Sequence, residues 1–179
     1  MEPLGCKPIM SLRFRDRVRP EDAAIVHAIV ASTGFFSRDE EFMAASLVTE
    51  RIEHGPECGY QFLFAENAES ADNVVVGYTC FGPISCTAGR FDLYWIAVAE
   101  EFRGLGIGRE LLAATEDRVR FQGGTRIYAE TSSREQYAPT RHFYEHTGFR
   151  KEAVLPDYYA PGDDNVFYAK DLILPHSER

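Results

Sequence analysis

The 179-residue sequence predicts one α/β domain of the α+β type, in which about four helices flank a mixed central sheet of about seven strands. Three observations support this fold class. Short runs rich in β-branched and aromatic residues recur along the chain, as strands do. Segments with helical apolar spacing are bounded by caps, proline and glycine. The predicted order, β-α-α-β-β-β-α-β-α-β-β, mixes hairpins with helical crossovers.

The composition is typical of a single globular domain. Apolar residues make up 45% of the chain and charged residues 26%, which are ordinary proportions for such a domain. No apolar run approaches the roughly 20 residues of a membrane helix. We expect a loose leader over residues 1–10 without a secretion signal, a folded domain over 11–174 and a tail over 175–179. The net charge of −9 disfavours nucleic acid or an anionic membrane as a partner and suits a cationic ligand.

The cysteine and histidine patterns give no sign of a metal site. The four cysteines are Cys6, Cys58, Cys80 and Cys86. They form no C-x-x-C pair, so neither a zinc knuckle nor a disulfide framework is expected. His142 and His146 are four residues apart, but the glutamate of the H-E-x-x-H pattern is absent. We therefore expect no metal, a reduced protein and a cytoplasmic location.

The first third of the chain predicts a strand followed by two helices. Alternation over Leu12–Val18 indicates a strand, whose arginines we expect to form a solvated outer face. An acidic turn after Pro20 begins a helix that ends near Gly34. The capping-box spacing at Ser37 begins a second helix, which ends at about His54.

The middle of the chain predicts three strands, a long helix and another strand. Tyr60–Glu66 and Val74–Phe81 are separated by a polar turn and form a hairpin. Phe91–Val98 is almost continuously apolar, as is typical of a central strand covered on both faces. A long helix at about Gly106–Gln122 precedes a strand at Arg126–Thr131.

The last part predicts a short helix and two strands. The helix covers Pro139–Thr147, and Gly148 ends it with Phe149 packing back on it in a Schellman cap. Strands at about Glu152–Leu155 and Val166–Leu172 follow. The loop between them contains Pro156-Asp157-Tyr158-Tyr159 and Gly162-Asp163-Asp164.

A glycine-rich segment joins the central strand to the long helix: Arg103-Gly104-Leu105-Gly106-Ile107-Gly108-Arg109. Unpaired N–H groups at a helix start, with glycines that allow close approach, form a cradle for phosphate. A Walker loop would need Lys-Ser or Lys-Thr, which is absent. A dinucleotide fingerprint fails because Arg109 or Leu111 takes its final position. A turn without a ligand would not require three alternating glycines.

This segment resembles the acetyl-CoA motif of the GNAT superfamily of N-acetyltransferases, Gln/Arg-x-x-Gly-x-Gly/Ala. Arg103–Gly108 matches every fixed position of that motif. A later segment, Phe143-Tyr144-Glu145-His146-Thr147-Gly148-Phe149, resembles the second family motif, in which an aromatic residue or Leu precedes Tyr-Glu-x-x-Gly-Phe. The order of elements also matches from about Leu12 to Leu172. The resemblance therefore implies the GNAT fold over residues 11–174.

The resemblance implies acetyl-CoA as the co-substrate and assigns residues to it. Backbone groups of Ile96, Ala97 and Val98 would pair with its pantetheine arm. Backbone amides of Arg103–Arg109 would hold its pyrophosphate. Family members often carry an asparagine at the cofactor where this chain has Tyr137, which could hydrogen-bond or pack there instead.

The chemistry needs an acid, a base and an oxyanion donor. The resemblance places Tyr144 near the thioester sulfur, where a phenol can protonate the leaving thiolate. A carboxylate must accept a proton from the amine, and we expect Glu130 first and Asp92 second. Both could instead be ordinary strand-end carboxylates, with water chains in their place. A backbone amide at Val98 would stabilise the oxyanion.

The substrate is predicted from two loops, whose candidate residues are Phe35, Phe36, Asp157, Tyr158 and Tyr159. Aromatic rings with carboxylates suit an organic cation. The second loop could equally be held by its own turn chemistry. We expect acetyl transfer to a primary amine of a small molecule in a ternary complex, because no cysteine is placed for a covalent step. The alternatives are a protein or peptide N-terminus (or lysine) as acceptor and a non-catalytic acyl-CoA-binding regulatory domain; a homodimer is also expected from the family.

Overall fold

A computed structural model describes residues 10–172 of the protein. Within them the seven strands are β1 (Leu12–Arg15), β2 (Gln61–Asn67), β3 (Val75–Pro83), β4 (Arg90–Val98), β5 (Arg126–Ser132), β6 (Arg150–Ala160) and β7 (Asp163–Asp171). The four α-helices of the same range are α1 (Asp22–Ser32), α2 (Arg38–His54), α3 (Ile107–Phe121) and α4 (Ala138–His146). Short 3₁₀ turns cover 55–58, 100–102 and 135–137. The predicted fold is confirmed; the predicted tail from residue 175, and all of the leader but Met10, lie outside the described residues.

The strands form one mixed sheet in the order β1-β2-β3-β4-β5-β7-β6. Neighbours are antiparallel except β4 and β5, which are parallel. β4 and β5 pair only over Arg90–Asp92 and Arg126–Tyr128. Beyond that point β4 continues along β3 to Val98, and β5 continues along β7 to Ser132. The two central strands therefore diverge, and an opening forms in the middle of the sheet.

Each face of the sheet carries its own apolar core. On one face α1 and α2 supply Val26, Val30 and Val48, all fully buried. On the other face α3 contributes Leu111, also fully buried, and α4 contributes Tyr144. Complete burial of such a side chain stabilises the fold by about 1.5–3 kcal/mol. The sheet is thus held rigidly between two helical layers, and the strand opening is a fixed feature.

The helix ends follow the predicted capping chemistry. The Ser37 N–H donates to the Glu40 carboxylate at 2.8 Å, and the Ser37 hydroxyl accepts from the Glu40 N–H, which completes a capping box. At the end of α4 the Phe149 N–H donates to the Tyr144 carbonyl at 3.0 Å, and the Gly148 N–H donates to Glu145. The rings of Tyr144 and Phe149 lie 5.2 Å apart. This Schellman cap fixes the direction of α4 and the position of Tyr144.

The predicted loop between the last two strands is wrong in its extent. Residues 156–159 belong to β6, and only residues 161–162 form the turn. Leu155 lies opposite Asn165 and Ala160 opposite Asp163, so four residues of β6 face one residue of β7. Asp157 has φ +53°, and its carboxylate accepts from the Gly162 N–H at 2.6 Å. Side-chain hydrogen bonds therefore let the strand continue through a sequence rich in turn residues.

The solvated arginine face predicted for β1 is confirmed for Arg13, Arg17 and Arg19, which are exposed, and is wrong for Arg15. Arg15 contacts two buried carboxylates, with its Nε 2.6 Å from Glu66 and its Nη2 2.8 Å from Asp22. Arg13 binds the other oxygen of Glu66 at 2.7 Å. Burial alone would raise the pKa of Glu66, but hydrogen bonds from Arg15 and Arg13 outweigh it and lower that pKa. The arginines neutralise buried charge, which alternation alone does not reveal.

None of the helices in residues 10–172 is long and apolar enough to cross a membrane.

Candidate active site

Two cavities meet where β4 and β5 diverge. The larger cavity has a volume of about 880 Å³ and the smaller cavity about 520 Å³. Ile96 of β4 and Thr140 of α4 line both cavities. The opening in the sheet therefore connects two different environments at a single point.

The smaller cavity is built around the start of α3. Gly106 is the N-cap of this helix at φ +85°, and Gly104 has φ +75°. A Cβ at either glycine would meet no protein atom within 4 Å, so the conformation rather than crowding requires glycine. Among the described residues, no acceptor is recorded for the backbone N–H groups of residues 104–108. This cluster of free donors at a helix N-terminus is suited to an anion.

The peptide groups of β4 beside this loop point alternately toward β3 and toward the opening. The Ala99 N–H, just after β4, donates to the Val76 carbonyl of β3 at 2.9 Å. Alternation along an antiparallel pair then directs the peptide groups of Ala97 to β3 and those of Ile96 and Val98 to the opening. Ile96 and Val98 can therefore pair with an extended ligand there, whereas Ala97 contributes only the surface that lines the smaller cavity.

Cationic and imidazole side chains lie around the smaller cavity. Arg103 pairs with Glu100 at 2.8 Å, and its guanidinium lies 4.7 Å from the ring centre of Phe35. The His142 and His146 rings lie 3.7 Å apart on α4. The two histidines line the cavity, a position that their spacing of four residues on one helix face could have indicated.

The larger cavity is lined mainly by aromatic and acidic side chains. The aromatic residues are Phe36, Tyr60, Tyr94, Trp95, Tyr128, Tyr137, Tyr144, Tyr159 and Phe167. The acidic residues are Glu40, Asp92, Glu130 and Asp163. Arg134 supplies a guanidinium, whose Nε lies 2.8 Å from the Asp163 carboxylate. The balance of charge in this cavity is therefore negative.

Tyr144 lies at the inner end of the larger cavity. Its side chain packs against Phe149 and Tyr168, and the residue is 5% exposed. Among the described residues its hydroxyl has no hydrogen-bond partner. Burial raises the pKa of Tyr144 well above its ordinary value, and the nearby Tyr159 and Tyr168 add to the effect. The hydroxyl therefore keeps its proton at neutral pH and can donate it.

Asp92 and Glu130 flank the point where the strands diverge. Asp92 is paired in register with Tyr128, two residues before Glu130 on β5. Burial, and then the negative charge of Glu130, raise the pKa of Asp92. Glu130 is exposed in the cavity, and its Oε2 accepts from Asn165 Nδ2 at 2.6 Å. Two neighbouring carboxylates are thus available to take up a proton or hold a cation.

The segment between α1 and α2 closes one side of the larger cavity. The Phe36 ring lies 5.1 Å from Trp95 and 6.2 Å from Tyr137. The Tyr137 hydroxyl donates to Glu40 at 3.3 Å, and the Gln136 amide donates to the Phe35 carbonyl at 3.0 Å. The 3₁₀ turn at 135–137 therefore orients Tyr137 toward Phe36, and Tyr137 lines the larger cavity. Its contact with the cofactor stays a prediction.

The predicted site residues separate into three groups. The larger cavity includes Asp92, Glu130, Tyr144, Phe36, Tyr159, Tyr137 and Ile96. The smaller cavity includes Ile96, Ala97, Val98, Arg103, Gly104, Gly106, Ile107, Gly108 and Arg109. Four residues line neither cavity: Phe35, Leu105, Asp157 and Tyr158.

Each of these four residues has another place in the fold. Phe35 packs beneath the Arg103 guanidinium, and Leu105 packs against the apolar core. The Asp157 carboxylate is engaged in the β6–β7 turn. Tyr158 is 57% exposed.

Several lining residues were not predicted from the sequence. Tyr94 is the extra residue of an irregularity in β4, because Leu93 pairs with Phe81 while Trp95 pairs with Cys80. Such a bulge turns a side chain out of the regular alternation. The continuous apolar run of β4 gives no sign of the bulge in the sequence. Thr140 lies four residues before Tyr144 on α4, so helical spacing could have indicated it.

Comparison with known proteins decides the family. A model described as the acetyltransferase (GNAT) family matches residues 24–149. The chain belongs to this family. The GNAT resemblance of the two sequence motifs is therefore confirmed, together with the seven-stranded fold.

Individual GNAT relatives agree with this assignment. A solved structure of a GNAT-family acetyltransferase from Desulfovibrio desulfuricans is 45% identical, with a TM-score of 0.85 over 91% of this chain and 100% of that one. The N-acetyltransferase MJ1530 of Methanocaldococcus jannaschii is 34% identical over 99 residues, which are 55% of this chain and 61% of its own length. An N-alpha-acetyltransferase of Saccharolobus solfataricus is 31% identical over 131 residues, 68% of this chain and 75% of its own length.

Proposed function

We propose that this protein transfers an acetyl group from acetyl-CoA to a primary amine of a small organic cation, directly within a ternary complex. The observation that carries the proposal is the meeting of the two cavities at Ile96 and Thr140. The smaller cavity offers free backbone donors for phosphate, and the larger cavity offers a buried phenol and two carboxylates. Acetyl transfer to an amine requires that the cofactor site and the substrate site meet where the acetyl group is transferred.

The residues of the smaller cavity fit acetyl-CoA. The free N–H groups of residues 104–108 suit its pyrophosphate. The peptide groups of Ile96 and Val98 suit the amides of its pantetheine arm, in the manner of an added strand. Acetyl-CoA supplies an acetyl group already activated as a thioester. The Val98 N–H is our candidate donor to the thioester oxygen.

Tyr144 is our candidate general acid. The leaving thiolate needs a proton, and the phenol is protonated at neutral pH, since burial raises its pKa further above its ordinary value of about 10. The Tyr144 hydroxyl has no competing partner among the described residues, so it is free to donate to the sulfur. The Schellman cap of α4 holds the ring at the inner end of the larger cavity.

Glu130 and Asp92 are our candidate bases. An amine is an ammonium ion at neutral pH and must lose a proton before it can attack. Glu130, exposed in the cavity, accepts that proton directly or through water. Asp92, whose pKa is raised by burial and by Glu130, can hold a shared proton or a second positive charge.

The charge of the larger cavity favours a cationic substrate without an anionic group. Its lining includes four carboxylates. The cation in the lining, Arg134, is already paired with Asp163 at 2.8 Å. A substrate carboxylate or phosphate would therefore meet repulsion, whereas an ammonium group would meet carboxylates and aromatic faces.

Matched amines of equal chain length test this proposal. We would measure thiol release from acetyl-CoA with butane-1,4-diamine, butylamine and 4-aminobutyrate, with CoA thermal stabilisation as a binding control. The diamine should have the highest kcat/KM and 4-aminobutyrate the lowest. Faster turnover of 4-aminobutyrate would contradict the charge argument. Absence of turnover with every amine would contradict the transferase proposal.

An N-terminal acetyltransferase is the second candidate. Two observations favour it: the T-shaped Tyr158–Tyr159 pair beside the larger cavity, with ring centres 5.0 Å apart, and the relatives named N-alpha-acetyltransferases. Short peptides with free N-termini, added to the amine panel, distinguish the two. Turnover of peptides alone would replace the small-molecule proposal with this one.

A non-catalytic acyl-CoA-binding domain is the third candidate, and the presence of Tyr144, Asp92 and Glu130 in the lining of one cavity argues against it. We also propose a cytoplasmic location, since Cys58, Cys80 and Cys86 form no disulfide in the described chain.

A homodimer stays a proposal drawn from the family, and light scattering after gel filtration tests it.

A further inference from the structure

Asn165 is a fully buried polar side chain of the sheet. It lies on β7 opposite Ser132 of β5, and it is 0% exposed. Because side chains alternate between the two faces of a strand, Asn165 shares its face with Phe167 and Glu130, whereas the core residues Val166 and Tyr168 lie on the opposite face. An amide at such a position requires an explanation, because burying a polar group costs free energy unless hydrogen bonds compensate.

The Asn165 amide is only half satisfied. Its Nδ2 donates to Oε2 of Glu130 at 2.6 Å. Its Oδ1 is buried and has no partner in the described chain. Because Glu130 is exposed in the larger cavity, the fold would not need Asn165 to satisfy that carboxylate. The unsatisfied Oδ1 weakens the fold, so the contact with Glu130 is the feature that explains asparagine here.

Sheet geometry determines which oxygen of Glu130 is engaged. Glu130 lies opposite Phe167, and Ser132 lies opposite Asn165, so Asn165 reaches Glu130 diagonally on one face of the sheet. The hydrogen bond holds Oε2 on the β7 side. The other oxygen, Oε1, has no partner among the described residues and is left for the substrate.

We infer that Asn165 is a positioning residue for acetyl transfer: it holds Glu130 in the orientation in which Oε1 accepts the amine proton. This inference rests on the proposed function. The other titratable or charged groups near Glu130 are Asp92 from β4, Tyr159 from β6, and Asp163 with its partner Arg134. Of the side chains in residues 10–172, Asn165 is the one that donates a hydrogen bond to the Glu130 carboxylate.

The decisive variant is Asn165→Leu, which keeps the number and branching of the side-chain heavy atoms and removes the donor together with the unsatisfied acceptor. The Tm should stay unchanged or rise, because no buried group loses a partner. At pH 7, kcat for butane-1,4-diamine should fall about ten-fold while its KM stays within about two-fold, because the carboxylate stays in the cavity but is no longer oriented.

A structural role for Asn165 predicts the opposite pattern, a lower Tm and an unchanged kcat, and that result would overturn the inference. Val166→Ala, at the neighbouring core residue, is the matched control: it should lower the Tm and leave kcat unchanged. In a Glu130→Gln background, Asn165→Leu should cause no further loss of rate. A full additional loss there would also overturn it. If the wild-type protein showed no turnover at all, that result would instead contradict the proposed function itself.

Discussion

The smaller cavity is made of backbone, and the larger cavity is made of side chains. At the smaller cavity, the groups that we propose to bind acetyl-CoA are the N–H groups of residues 104–108 and the peptide groups of Ile96 and Val98. At the larger cavity, rings and carboxylates come from nine parts of the chain: the α1–α2 segment, α2, residue 60 before β2, β4, β5, the 3₁₀ turn at 135–137, α4, β6 and β7. A backbone site depends on conformation, so glycine substitutions should damage it. A side-chain site depends on chemistry, so isosteric substitutions should damage it.

The largest effect should come from the hydroxyl of Tyr144. Tyr144→Phe removes the proposed acid and keeps the ring packed, so kcat should fall about 100-fold or more. CoA affinity, measured by calorimetry, should not change, because the phenol belongs to the larger cavity. Tyr168→Phe is the control, since its hydroxyl bonds Glu145 outside both cavities at 3.0 Å; it should keep full activity. Unchanged kcat in Tyr144→Phe would remove the acid assignment.

A smaller effect should follow removal of an aromatic wall. Phe36→Ala opens the contact with Trp95 and Tyr137, so KM for butane-1,4-diamine should rise about ten-fold through lost ring contact. CoA binding should stay as in the wild type. Phe42→Ala, an exposed ring of α2 at 64% exposure, serves as the matched control and should change neither constant. Equal changes in the two variants would show that the effect is not local.

The smallest effect concerns stability and its pH dependence. Because burial raises the pKa of Asp92, its ionisation opposes folding, and this loss develops as pH rises through the raised pKa. Asp92→Asn should therefore raise the Tm at pH 7, by about 2 °C, and leave it unchanged at pH 3. It should also lower kcat. Asp171→Asn is the contrast, because a hydrogen bond from Arg150 lowers the pKa of Asp171; that variant should not gain stability at pH 7.

The same division explains what the sequence could predict. Positive φ at Gly104 and Gly106 is a local property for which glycine is the usual residue, so the glycine-rich loop could be recognised from Arg103–Gly108. Tyr144 could be recognised because the Tyr-Glu-x-x-Gly-Phe pattern includes the cap that holds it. The order of strands and helices followed from periodicity and capping and is confirmed. The GNAT fold, which the resemblance of the two motifs implied, is confirmed as well.

The lining of the larger cavity was harder to predict from the sequence, because its residues meet only in the folded sheet. Tyr137 was predicted at the cofactor because it takes the place of the family's asparagine, and its contact with Phe36 follows from a 3₁₀ turn. Tyr94 depends on a bulge, and the Asn165–Glu130 contact depends on a strand register between distant segments. The length of β6 depended on hydrogen bonds within the turn that follow from tertiary structure. None of these features has a local sequence signal.

The central claim is that the backbone of residues 104–108 binds acetyl-CoA, and calorimetric titration of CoA into two glycine variants tests it most directly. Gly106→Val places a branched side chain at φ +85° in the loop, and Gly123→Val places one at φ +79° beyond the other end of the same helix. Both sites are open, with no protein atom within 4 Å of a Cβ, so the conformational strain is matched. CoA affinity should fall at least about ten-fold in Gly106→Val and stay near the wild-type value in Gly123→Val. Equal affinity in the two variants, or no CoA binding by the wild-type protein, would contradict the account.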